Sequence, residues 1–140
     1  MKPRITVITL GVDDLERSVR FYRDGLGLAT DGIFGTEYEH GAVCFFKMEG
    51  GLILAVWPRR DLAWDCGLKP TEPSATEFSL GHNLSSPEEV DATVAQARAA
   101  GATIVKEPQD TFWGGYAAYL QDPDGHLWEV LWNPAFDLPD

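Results

Sequence analysis

Chemistry in this chain has few candidate carriers: three histidines, two cysteines and a surplus of carboxylates. Cys44 and Cys66 lie far apart with no C-x-x-C spacing, which indicates neither a zinc knuckle nor a disulfide framework. Cys44 sits within Val43-Cys44-Phe45-Phe46 and reads as core, with no histidine that the sequence pairs to it, so nucleophilic catalysis lacks an obvious player. His40 falls in a loop and His126 in a turn, positions that favour solvation over metal ligation. Phosphate-cradling glycine loops and the G-x-S-x-G nucleophile elbow are missing, which removes nucleotide-binding and serine-hydrolase readings. Recognition has a better candidate. Asp110-Thr111-Phe112-Trp113-Gly114-Gly115-Tyr116 is the most aromatic loop, and its paired glycines permit backbone angles closed to other residues. Trp113 and Tyr116 are therefore candidate ligand contacts, as a lid or stacking wall, against the ordinary alternative that they simply pack.

The elements that must position these residues occur in two similar passes. In the first, residues 5–58, a strand rich in β-branched residues (Ile5 to Leu10) leads to a helix with Asp13 as its expected cap and Glu16 three residues on. Leu15, Val19 and Tyr22 recur at helical spacing before the stop signals Gly25 and Gly27. Three strands follow, near residues 29–35, 42–47 and 52–57, the last two joined at Gly50-Gly51. In the second pass, residues 76–134, a strand from Phe78 to Leu84 precedes Ser86-Pro87-Glu88-Glu89. There serine suits the cap, proline the first helical position and glutamate the return bond. Val90, Val94 and Ala97 line one face of that helix, which stops at Gly101. Strands near residues 103–107, 115–121 and 127–132 complete the pass, the last two joined by Asp122-Pro123-Asp124-Gly125.

Residues 59–75, with Pro70 and Pro73, have the composition of a linker inside a single domain, 1–140. The expected class is thus α+β, as two tandem βαβββ modules. Each has one helix on one face of its sheet, and pairing the other faces would leave a cleft suited to a small ligand.

Acidic residues outnumber basic ones 22 to 11, for a formal net charge of −11. Such a surface repels nucleic acid and anionic membranes and draws cationic ligands, while also serving plain solubility. With no apolar run long enough to span a bilayer, the expectation is a soluble, cytoplasmic protein.

Two motifs resemble one known group of proteins. Gly11-Val12-Asp13-Asp14-Leu15-Glu16-Arg17-Ser18-Val19-Arg20-Phe21-Tyr22, followed by Gly25-Leu26-Gly27, is similar to the opening of glyoxalase and bleomycin-resistance proteins. Asp122-Pro123-Asp124-Gly125-His126-Leu127-Trp128-Glu129-Val130 is similar to their C-terminal strand. Lying about a hundred residues apart and bracketing the repeat, they point to the vicinal oxygen chelate superfamily of glyoxalase I, bleomycin-resistance proteins and extradiol dioxygenases.

In metal-using members each half supplies one ligand from its first strand and one from its last. The resemblance carries these positions onto Val7, Leu54 or a neighbour, Ser79 and Glu129, of which only Glu129 is a good donor. Divalent metals need three or more suitable protein donors, so no cofactor is expected. His82 is three residues from Ser79 and so of opposite strand parity, which places it under the helix or at the sheet rim. Trp128 and Trp132, opposite in parity to Glu129, should pack against the helix.

The resemblance implies that Glu129 faces the cleft among Val7 and Leu54. There it would act as a general base or as an anchor for an amine or hydroxyl, unless Thr9, Ser79 or another hydroxyl ties it up. The face of the strand bearing Tyr119 and Gln121 is left open.

The leading expectation is metal-free binding or sequestration of a small cationic or aromatic compound, with Val7, Thr9, Leu54, Ser79, Trp113, Tyr116 and Glu129 as ligand contacts. The alternative is a diverged lyase, isomerase or dioxygenase using Glu129 as base or metal ligand, and whether the protein is an enzyme stays open. A third reading is a module whose sheet edges mediate association. The resemblance also implies a homodimer.

Overall fold

The computed structural model describes residues 1–138 and divides into two compact units, the first over residues 1–72 and the second from Pro73 onward. The first contains strand β1 (Val7–Val12), helix α1 (Leu15–Val19) continued by a π-helical turn (Arg20–Gly25), strands β2 (Thr30–Phe34), β3 (Val43–Lys47) and β4 (Ile53–Pro58), and helix α2 (Arg59–Cys66). The second contains β5 (Leu80–Leu84), helix α3 (Pro87–Ala100), β6 (Thr103–Asp110), β7 (Tyr116–Gln121) and β8 (Leu127–Trp132). The strand orders are β1-β4-β3-β2 and β5-β8-β7-β6, each with a parallel first pair and antiparallel remainder. This is the expected α+β class with its βαβββ unit written twice.

Helix entry is set by side-chain caps. Asp14, not Asp13, caps α1, accepting a bond from the Arg17 amide at 3.0 Å. Asp13 instead receives a bond from Arg59 Nε at 3.1 Å. The backbone turns helical one residue later than the motif suggested, so the second of two adjacent aspartates satisfies the free amides. At α3, Ser86 accepts from the Glu89 amide and the Glu89 carboxylate accepts from the Ser85 amide, and Gly101 closes the helix with φ of +106°.

In the first unit, Leu10, Val12, Val19, Phe21, Tyr22, Cys44, Phe46, Leu54 and Val56 form a buried core on the α1 side of the sheet. Burying each large side chain contributes about 1.5–3 kcal/mol. In the second, Val90, Val94 and Ala97 of α3 pack over Ala118, Leu120 and Val130.

Residues 59–75, read as linker, begin with α2. Its Asp61 is buried and bonds His40 Nδ1 at 2.7 Å, while the His40 ring stacks on Trp64 with centroids 4.2 Å apart. His40 is thus partly sheltered rather than solvated, and it pins the loop before β3 to this helix. Two prolines downstream masked an eight-residue helix whose apolar pattern is weak.

Candidate ligand-binding site

Side-chain parity decides what each strand can offer. In the first sheet Val7 opposes Ile53, Thr9 opposes Ala55 and Gly11 opposes Trp57, all on the face away from α1. Val7 and Thr9 are exposed there. Leu54 instead registers with Ile8 and with Phe46, whose ring meets Tyr22 of the π-helical turn after α1, so Leu54 is a core residue at 2% exposure. It does not share a face with Val7 and Thr9; the β4 residues that do are Ile53, Ala55 and Trp57. Of the position read as Leu54 or a neighbour, the neighbours share the Val7 face and Leu54 does not, since one residue on a strand means the opposite face.

In the second sheet Glu129 pairs with Gly81 on β5 and with Tyr119 on β7. The Tyr119 hydroxyl donates a hydrogen bond to Glu129 Oε2. That bond, followed by burial and by the carboxylate's charge, holds the Tyr119 hydroxyl above the ordinary phenol range. Tyr119, not Thr9 or Ser79, is therefore the group found bonded to Glu129. Its register was legible: Asp122 to His126 form the turn and Gln121 opposes Leu127, and counting outward two steps brings Tyr119 opposite Glu129.

A cavity of about 170 Å³ lies on this face, lined by Glu129 and Tyr119, by Lys106 and Gln109 of β6, and by Phe112 and Trp113 of the aromatic loop, among others. The loop is closed by Thr111, whose amide donates to the Gly115 carbonyl and whose hydroxyl accepts from the Gly115 amide. A Cβ on Gly115 would stand 2.0 Å from the Trp113 ring and 2.6 Å from the Trp132 carbonyl, so only glycine lets the indole lie where it does. Trp113 thus joins Glu129 in one cavity.

Tyr116 does not point there. It is in register with Trp132 on the α3 face and donates to Asp91 Oδ1 at 2.7 Å, a bond that raises its own hydroxyl pKa. Of the two aromatic candidates from this loop, one lines the cavity and the other braces the helix. Ser79 is exposed, one residue before β5 begins, because that strand starts at Leu80 rather than Phe78. His82 opposes Val130 and so lies on the α3 face, away from Glu129, with Trp128 and Trp132. His126 is no solvated loop residue: its Nδ1 lies 2.7 Å from Asp122 Oδ2, and Asp122 Oδ1 also accepts from the amides of Asp124 and His126. This knits the turn that sets the β7–β8 register.

Lys106 and Gln109 went unnoticed in the sequence. The available signal was Pro108, since proline inside a strand marks an edge or a bulge.

Comparison with known proteins agrees with this architecture. The profile of the Glyoxalase/Bleomycin resistance protein/Dioxygenase superfamily matches residues 4–130, and the chain belongs to that superfamily. A lactoylglutathione lyase from Haemophilus influenzae is 30% identical over 128 residues, covering 89% of this chain and 88% of its own. Among solved structures, a glyoxalase-related enzyme from Fulvimarina pelagi superposes with a TM-score of 0.84 at 33% identity, over 98% of this chain and 93% of the other. A glyoxalase/bleomycin resistance protein/dioxygenase from Nocardioides gives 0.77 at 29% identity, over 100% and 89%.

The superfamily's metal positions can be tested on donor chemistry. Val7 and Ser79, with Ile53 or Ala55 as the β4 residue on the Val7 face, offer no carboxylate, imidazole or thiolate, which leaves Glu129 alone. Among the described residues no three His, Cys, Asp or Glu side chains gather as a metal site would require. The residues present do not fit a divalent ion. Among the described residues no helix is long and apolar enough to cross a membrane.

Proposed function

We propose that this protein binds a small aromatic molecule, without a metal, in the cavity framed by Glu129, Tyr119 and Trp113. The observation that carries the reading is the Tyr119–Glu129 hydrogen bond at the cavity wall. Tyr119 occupies Oε2 of the carboxylate and fixes its orientation, leaving Oε1 to accept from a ligand amine or hydroxyl. The Trp113 face offers stacking to a flat ring and attraction to a cationic one. The action is retention of the compound, as in sequestration.

Titration calorimetry with substituted anilines tests it, alongside elemental analysis of protein purified without chelators. The expected result is binding with no stoichiometric metal, weakened by Glu129→Gln roughly tenfold, since a hydrogen bond to a charged group is worth about 1.5–3 kcal/mol. A divalent ion retained in stoichiometric amount and lost in Glu129→Ala would overturn it.

A second reading is favoured by the Haemophilus relative's designation as a lactoylglutathione lyase. In that case Glu129 would serve as general base, with Tyr119 donating to it and holding its orientation. Turnover of lactoylglutathione by metal-free protein, abolished by Glu129→Gln, would select this reading over simple retention.

A further inference from the structure

Strand β6 lies at the edge of its sheet and is out of step with its neighbour twice. Thr103 and Ile104 oppose Gln121 and Leu120, but Lys106 opposes Tyr119, and Gln109 opposes Ala117. Had the first register continued, Lys106 would have faced Ala118, which is fully buried beneath α3. The extra residue at Val105 turns Lys106 onto the face of Tyr119 and Glu129, and a second one near Pro108 does the same for Gln109. Bulges of this kind commonly re-aim a side chain beside a functional site. Lys106 lines the cavity, and among the described residues no carboxylate lies within salt-bridge distance of its ammonium.

We propose that Lys106 is the acid-recognising end of this cavity, so that its ligand is a small aromatic acid with a hydrogen-bond donor at the opposite end. The inference rests on the cavity being a binding site, as proposed above, and adds the class of molecule. Lys106, Tyr119 and Glu129 stand side by side on one rung across the adjacent strands β6, β7 and β8. Neighbouring strands are about 4.8 Å apart, so the outer two residues are separated by roughly 10 Å at the backbone. One aromatic ring with a polar group at each end spans the space between their side-chain tips. The cavity also holds the Glu129 carboxylate. A ligand with only an acid group would meet repulsion from Glu129, and one with only a cation would meet Lys106. Donor and acid together satisfy both ends.

The test is titration of the whole protein, by calorimetry or NMR, with four matched probes: 4-aminobenzoate, 4-methylaniline, benzoate and 4-aminobenzylamine. The expected result is that 4-aminobenzoate binds about fivefold or more tighter than the other three, a modest factor because Lys106 is exposed to solvent. The preference disappears in Lys106→Gln and persists in Lys106→Arg. Both variants keep the fold, since the side chain is exposed on an edge strand. If 4-methylaniline or 4-aminobenzylamine binds as tightly as 4-aminobenzoate, or if the preference survives Lys106→Gln, the acid assignment is wrong, while Glu129-dependent binding of the anilines still upholds the site. If none of the four binds the unaltered protein, the binding-site reading falls and the acid assignment with it.

Discussion

At one wall of the cavity the Tyr119 hydroxyl donates a hydrogen bond to the Glu129 carboxylate. Because the hydroxyl is held above its ordinary range, the stability it contributes is present below pH about 10, where a tyrosine of the unfolded chain starts to ionise, and is lost as pH rises beyond that. Tyr119 should therefore ionise above the ordinary tyrosine range in a ¹³C-tyrosine NMR titration. Glu129→Gln should bring it back toward the ordinary value; an unchanged titration would mean that the carboxylate is not its partner. Burial similarly pushes the Cys44 thiol up, while Cys66 is exposed. Ellman's reagent should titrate one thiol in the native protein and two after unfolding. At this scale the sequence was partly readable. Glu129 stood out through its motif, but its partner depended on a register, and Lys106 depended on an irregularity in one.

Between residues and molecule stand the hairpins and loops that fix those registers. The turn at Asp122 to His126 was readable from its aspartates and glycine, and it sets the Tyr119–Glu129 pairing. The bulges of β6 were not, because nothing but Pro108 announces them and the strand runs three residues past its expected end. Leu54 was misplaced for the same physical reason: a strand's amphipathic period is two, so an alignment error of one residue exchanges core for surface. The aromatic loop offers the sharpest test of element geometry. In Gly115→Ala the new methyl collides with the Trp113 ring and the Trp132 carbonyl. The indole must leave the cavity wall or the backbone must shift, at a cost of about 1–3 kcal/mol typical of overpacking. Thermal unfolding should report that loss, and aniline binding should weaken with it. Undiminished binding would show that Trp113 is not part of the recognition surface.

For the molecule as a whole, the repeat was the most legible feature, because each pass carries its own cap, glycine stop and strand periodicity. The chain passes from one unit to the other through residues 67–79, a stretch that has no helix or strand and is almost entirely exposed. Brief chymotrypsin digestion should cut there first, after Leu68 or Phe78, giving two fragments by mass spectrometry. First cleavage at Tyr38 or Phe112 would show that the loops within the units open more readily than the join between them.

The doubled slip of β6 carries an implication for how such a pocket diversifies. Losing or gaining a single codon in an edge strand leaves the sheet intact but exchanges which side chains look inward downstream of the change. Deleting Lys106 itself while the bulge at Val105 is kept would bring its neighbour Glu107 opposite Tyr119, inverting the sign of charge offered to the ligand without one substitution. Diverging copies of such a gene could acquire new chemical tastes by length variation alone.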